Sequence, residues 1–135
     1  MSKDDILQLE HIILGHMRKV AEELSRMLSR ELKGSSIHTG SWSNANGVIH
    51  ANVSYITPGS PPGDSIDASI DVLISGSTAK CTSDICRPDG QIISDLAQRT
   101  ISFQTLAELS RELDSFGTKM SSEIVLRLKE IILLD

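Results

Sequence analysis

The stretch SIDASIDVLIS, residues 65–75, decides the fold. Ile66, Ala68, Ile70, Val72 and Ile74 alternate with Ser65, Asp67, Ser69 and Asp71, the period of a β-strand with one buried and one solvated face. Its neighbours carry the same signal. Residues 36–97 replace helix formers with Gly, Ser, Thr and β-branched residues, which predicts a run of strands. Residues 37–43 form the first, and Asn44-Ala45-Asn46-Gly47 provides residues that tolerate positive φ, so residues 48–56 return antiparallel to it. Ile49, Ala51, Val53 and Tyr55 then share one face, and His50, Asn52 and Ser54 the other. The TPGSPPGD segment, residues 57–64, reads as a surface loop. Beyond residue 75, Gly76 turns the chain into residues 78–86. Arg87-Pro88-Asp89-Gly90 is a second turn, because Pro presets φ and Gly supplies a left-handed residue, and residues 91–97 close an antiparallel meander of four or five strands.

Helical patterns flank the strands. Ile6, Leu9, Ile13, Val20, Leu24, Met27 and Leu28 recur at helical spacing up to Leu32. Ser2 and Asp5 form a capping arrangement at the start, and Gly34 is placed as a left-handed stop. Gly15, costly inside a helix, marks either close packing against the sheet or a bend. After Ser102, read as an N-cap, Leu106, Leu109, Leu113, Phe116, Met120, Ile124, Leu128 and Ile131 keep helical phase to the C-terminus. One continuous helix is favoured, although residues 114–118 offer a break near Gly117. Together these elements predict a single α+β domain over residues 1–135. It is a two-layer sandwich with both helices on the face that carries Ile66, Ile70 and Ile74.

Composition agrees with one folded domain. Hydrophobic residues make up 39% of the 135-residue chain and charged residues 23%, far from the signature of disorder. Aromatics are only 3%, so the core must be aliphatic. The formal charge of −5 disfavours nucleic acid, whose phosphates require a basic stripe, and favours a basic protein partner. The acidic N-terminus lacks the apolar core of a signal peptide, and no apolar run reaches the length of a membrane span, so a cytoplasmic protein is expected.

Chemistry is sparse. His11 and His16 are five apart on a helix and cannot chelate one metal as an i, i+4 pair would, so they are expected at the surface or its boundary. His38 and His50 lie on adjacent strands and could approach one another. Cys81 and Cys86 fit neither a C-x-x-C motif nor a zinc ribbon, and strand parity sends them to opposite faces, so reduced structural thiols are expected. No P-loop, GxGxxG, nucleophile elbow or H-E-x-x-H occurs. Neither a catalytic set, a cofactor nor a metal is expected. Asn52-Val53-Ser54 fits a glycosylation triplet, which is common by chance. Asp67, Ser69 and Asp71 share the solvated strand face, joined by Asp84 if the next strand keeps register. Charges there guard solubility or meet a basic partner. Trp42 differs in strand parity from Ile37. The core is its expected place, and on the solvated face it would instead be an interface anchor.

The segment DASIDVLISGSTAKCTSDICRPDGQIISD, with its flanking helices, resembles the bacterial immunity proteins called TriTu. There an alternating strand ending in Ser-Gly leads to a second strand, an acidic-Gly turn and a third. Residues 57–64 and the two cysteines are not part of that pattern. The resemblance implies an inhibitor, not an enzyme, that binds a cognate ADP-ribosyltransferase toxin acting on elongation factor Tu. It implies a 1:1 complex and steric occlusion of the toxin, within the polymorphic toxin and type VI secretion setting of such pairs. Trp42, Asp67, Ser69, Asp71 and Asp84 are the candidate contact residues. The chain also resembles type III effector chaperones, acidic dimers that hold an extended effector segment.

Overall fold

A computed structural model describes residues 1–28, 36–56, 65–87 and 91–134. The N-terminal helix α1 (Lys3–Leu28) leads into five strands, β1 (Ser36–Ser43), β2 (Val48–Ile56), β3 (Ser65–Ser75), β4 (Thr78–Cys86) and β5 (Ile92–Ser102). The chain ends in α2 (Leu106–Leu134). The strands form one antiparallel meander in the order β1-β2-β3-β4-β5, the α+β sandwich expected. The TPGSPPGD loop, residues 88–90 of the second predicted turn and the Gly34 stop lie outside the described residues.

Local chemistry explains the boundaries. Ser2 and Asp5 form a reciprocal cap, with Asp5 N–H donating to Ser2 Oγ and Ser2 N–H to Asp5 Oδ2. Gly47 and Gly76 adopt positive φ, at 84° and 61°, where only glycine is unstrained. Asn44 Oδ1 accepts from Asn46 and Val48 N–H groups and closes the β1–β2 turn. At the other end of the sheet the sequence reading is corrected. β5 continues past Ala97 to Ser102, and α2 is capped by Thr105, not Ser102. Glu108 N–H donates to Thr105 Oγ1 while Gln104 N–H donates to Glu108 Oε2, so the T-x-x-E sequence is the true helix start. α2 runs unbroken through Gly117.

Both helices cover one sheet face. Ile49, Ala51, Val53 and Tyr55 of β2, Ile66, Ala68, Ile70 and Val72 of β3, and Ala79, Cys81 and Ile85 of β4 are buried beneath them. α1 lies over β1 and β2, and α2 lies over β3 and β5. The helices meet where His16, buried and not at the surface or its boundary as expected, bonds through Nε2 to Asp114 Oδ1 at 2.8 Å. A side chain at Gly117 would sit 2.2 Å from the His16 ring. The glycine that the sequence offered as a break is therefore the position that makes room for the His16 ring between the helices. Gly15, by contrast, has nothing within 4 Å of a built Cβ, so it does not mark packing against the sheet. At the β1 edge, Ser41 Oγ donates to the nearly buried Glu10 at 2.8 Å and ties α1 to the strand. Arg99, on the helix side of β5, lies 5.3 Å from the Phe116 ring centroid.

Among the described residues no helix is long and apolar enough to cross a membrane. Cys81 and Cys86 form no disulfide. Cys81 is buried under the helices, and burial pushes its thiol up to about 11 against the lowering effect of Arg99.

Candidate functional site

No described element covers the other face of the sheet, and its chemistry follows from strand register. One row crosses all five strands as Trp42, His50, Asp71, Thr82 and Gln98. The next reads Gly40, Asn52, Ser69, Asp84 and Asp95, and the third His38, Ser54, Asp67, Cys86 and Ile92. Val48, Leu73, Lys80 and Thr100 form a flanking row. Four carboxylates, Asp67, Asp71, Asp84 and Asp95, face one lysine, so the surface is acidic.

The polar groups are fixed by one another. His50 Nδ1 lies 2.6 Å from Asp71 Oδ1, and the Trp42 ring stacks on His50 at 5.6 Å between centroids with 23° between planes. Ser69 Oγ lies within hydrogen-bond distance of both Asp71 Oδ2 (3.0 Å) and Asp84 Oδ1 (3.3 Å). Ser54 and Ser65 hydroxyls donate to the two oxygens of Asp67. Asp84 is raised above the usual carboxylate range, first by desolvation and then by the Asp71 charge, with a further rise from Asp95. The Ser69 bond and the His50 charge oppose the shift. Carboxylates this close lower their mutual repulsion when a cation or a basic side chain arrives.

The predicted contact residues Trp42, Asp67, Ser69, Asp71 and Asp84 thus share one face. Trp42 is corrected from the core to the surface. It is 52% exposed, because unbroken pairing from Ser36↔Ile56 to Ser43↔Ile49 leaves no bulge to change its parity. Ile37 takes the helix side instead. His38 and His50 do not pair, since His38 stands opposite Ser54 and His50 opposite Trp42. Sequence reasoning missed the roles of His50, Asp95 and the exposed Leu73 and Ile92. Strand parity put His50 on the right face, but only the β2–β3 register selects Asp71 as its partner.

A histidine held by an aspartate is the frame of a general base, and a nucleophile would have to donate to that histidine. Here the nearby serine hydroxyls donate to carboxylates. Among the described residues no group of three or more His, Cys, Asp or Glu side chains is arranged to hold a metal. The face offers instead an acidic, pre-ordered surface with large apolar side chains, Trp42, Leu73 and Ile92, at its margins. In comparisons with known proteins, no family model and no curated protein matches the chain.

Proposed function

We propose that this chain is a binding protein whose open sheet face docks on a basic surface of a folded partner, in the manner of an immunity protein that occludes a toxin. The observation that carries this reading is the row Trp42–His50–Asp71 beside Asp84. It joins an exposed indole to carboxylates already oriented by bonds to His50 and Ser69. An exposed Trp on a rigid sheet supplies anchoring area at low entropic cost, while ordered acidic groups steer encounter and fix orientation. A basic partner would relieve the Asp71 repulsion that adds to the effect of burial on Asp84. The partner class implied by the strand-and-turn resemblance is an ADP-ribosyltransferase domain, whose cofactor-binding cleft must attract phosphate and so presents positive charge.

The test is affinity purification of the tagged chain from its own cells beside an Asp71→Lys, Asp84→Lys variant, with partners identified by mass spectrometry. A folded basic toxin domain, held at one per chain and lost from the variant, is the expected result. A partner retained undiminished by the folded variant removes the open face from the interface. An extended effector segment in place of a folded domain moves the protein to the secretion-chaperone class.

A further inference from the structure

The two edges of the sheet are built differently. β5 carries Asp95 and Arg99, and its pairing with β4 shifts register between Ser83 and Asp84 and again between Ile85 and Cys86. Charges and bulges of this kind prevent an edge from accepting another strand. β1, SIHTGSWS, has neither. It contains no charged residue and no proline, its register against β2 is unbroken, and no described residue pairs with its outer side. The Asn44 N–H to Val48 carbonyl bond sets the phase of the ladder. Even-numbered residues therefore bond inward to β2, and Ile37, Thr39, Ser41 and Ser43 turn their N–H and C=O groups outward.

α1 adds a second surface on the same side of the molecule. Glu10, bonded to Ser41, marks the flank of the helix above β1, and His16, bonded to Asp114, marks the flank toward α2. At about 100° per residue, Leu7, Leu14 and Ala21 fall within roughly 40° of one another, beyond Glu10 on the β1 flank. Leu7 is 39% exposed, Leu14 is half-buried, Ser25 extends the stripe, and the exposed Arg18, about 40° from Leu14, borders it on the side away from the sheet.

We infer that a second copy of this chain docks here, β1 against β1 and α1 against α1, to form a two-fold dimer with a continuous ten-stranded sheet. Spacing supports that occupant. α1 rests on both β1 and β2, so its axis lies above the gap between them. Pairing β1 with its copy then separates the two helix axes by two strand spacings, about 9.6 Å, inside the 8–10 Å range at which helices pack. A register centred on Gly40 lets Ile37 and Thr39 exchange hydrogen bonds with Ser43 and Ser41 of the second copy. It also sets each His38 beside the other copy's Trp42 in the closer, non-hydrogen-bonded pairs. The two-fold axis at the Gly40 pair passes midway between the helices, level with the α1 turn between Glu10 and Leu14, so the two stripes run antiparallel with Leu14 near the centre. Because β1 is uncharged, self-pairing sets no like charges opposite each other on the strands.

The dimer leaves Asp67, Asp71 and Asp84 accessible and keeps Trp42 on the open face, beside the seam, and it is tested on the chain alone, so its failure leaves the proposed function standing. A toxin complex would contain one partner domain per chain on a dimer. Salt separates the two associations. Each chain carries −5, so salt screens repulsion and tightens the dimer, while it weakens docking of a basic partner.

The test is sedimentation of the purified chain alone, compared with Thr39→Pro and Leu14→Glu. Thr39→Pro removes an outward N–H and leaves the β2 ladder its donors, and Leu14→Glu places a charge at the centre of the helix seam. The wild type is expected at twice the mass of one chain at about 100 μM, with at least a tenfold weaker association in both variants at unchanged circular dichroism. A monomeric wild type at that concentration overturns the inference. So does a dimer that a folded Leu14→Glu variant leaves intact, which would place the interface elsewhere.

Discussion

His50 Nδ1 and Asp71 Oδ1 meet at 2.6 Å across the β2–β3 pair, 21 residues apart in the chain. That bond, with Trp42 stacked on the imidazole, organises the open face. The pair is partly solvated, with side chains 23% and 41% exposed, so water screens much of its attraction. A double-mutant cycle with His50→Ala and Asp71→Ala, read by urea unfolding, should give a coupling of about 0.2–1 kcal/mol. Additive single effects would show that the contact orders the surface without stabilising it.

Two helical glycines should respond oppositely to alanine. Gly117→Ala drives a methyl group into the buried His16 ring, whose bond to Asp114 resists displacement, so stability should fall by about 1–3 kcal/mol. Gly15→Ala meets nothing within 4 Å and should raise stability by roughly 0.5–1 kcal/mol through helix propensity. Thermal or denaturant unfolding of the two variants checks both signs.

The start of α2 gives a similar contrast. Thr105→Ala removes the acceptor for the Glu108 N–H and should cost about 0.5–2 kcal/mol. Ser102→Ala, at the end of β5, should stay within about 0.5 kcal/mol of wild type. Equal losses in urea unfolding would restore Ser102 to the capping role that its sequence position suggested.

Asp84 gives stability a pH dependence of definite sign. Its folded-state pKa is raised by burial and by Asp71, so the native fold holds its proton more tightly than the unfolded chain. The ionised form therefore works against the fold at neutral pH, and this penalty disappears as pH falls through the raised value. Asp84→Asn should melt higher than wild type near neutral pH, and the difference should shrink as pH falls through the raised value and be lost by about pH 4, the ordinary aspartate range. A melting difference that stays constant across that range would refute the assignment.

The thiols differ in the same way that the two sheet faces do. Cys81, buried and pushed up to about 11, should resist a thiol reagent in the native protein at neutral pH. Cys86, half-buried on the open face, should react first. Titration should count one reactive thiol in the native state and two after unfolding.

The sequence by itself determined the layers. Alternation in β2 and β3 and helical spacing in both helices are local periodicities, each tied to the geometry of its own element. They assign buried and open faces to residues such as Ile70 and Asp71 before any contact is known. Tight turns extend this to neighbours. Asn44–Gly47 and Gly76 fix the registers of β1–β2 and β3–β4, and so bring Ser69 opposite Asp84. Only the tertiary structure decided the rest. The β2–β3 register joins strands across the eight-residue segment 57–64, whose length sets no pairing, so the His50–Asp71 bond was not legible. The burial of His16 and the role of Gly117 arise where two helices distant in sequence cross on the sheet. The outward placement of Trp42 depended on whether β1 contained a bulge, which propensity does not specify. In each case a short-range pattern fixes which way a side chain points, and packing over long sequence separations fixes what it meets.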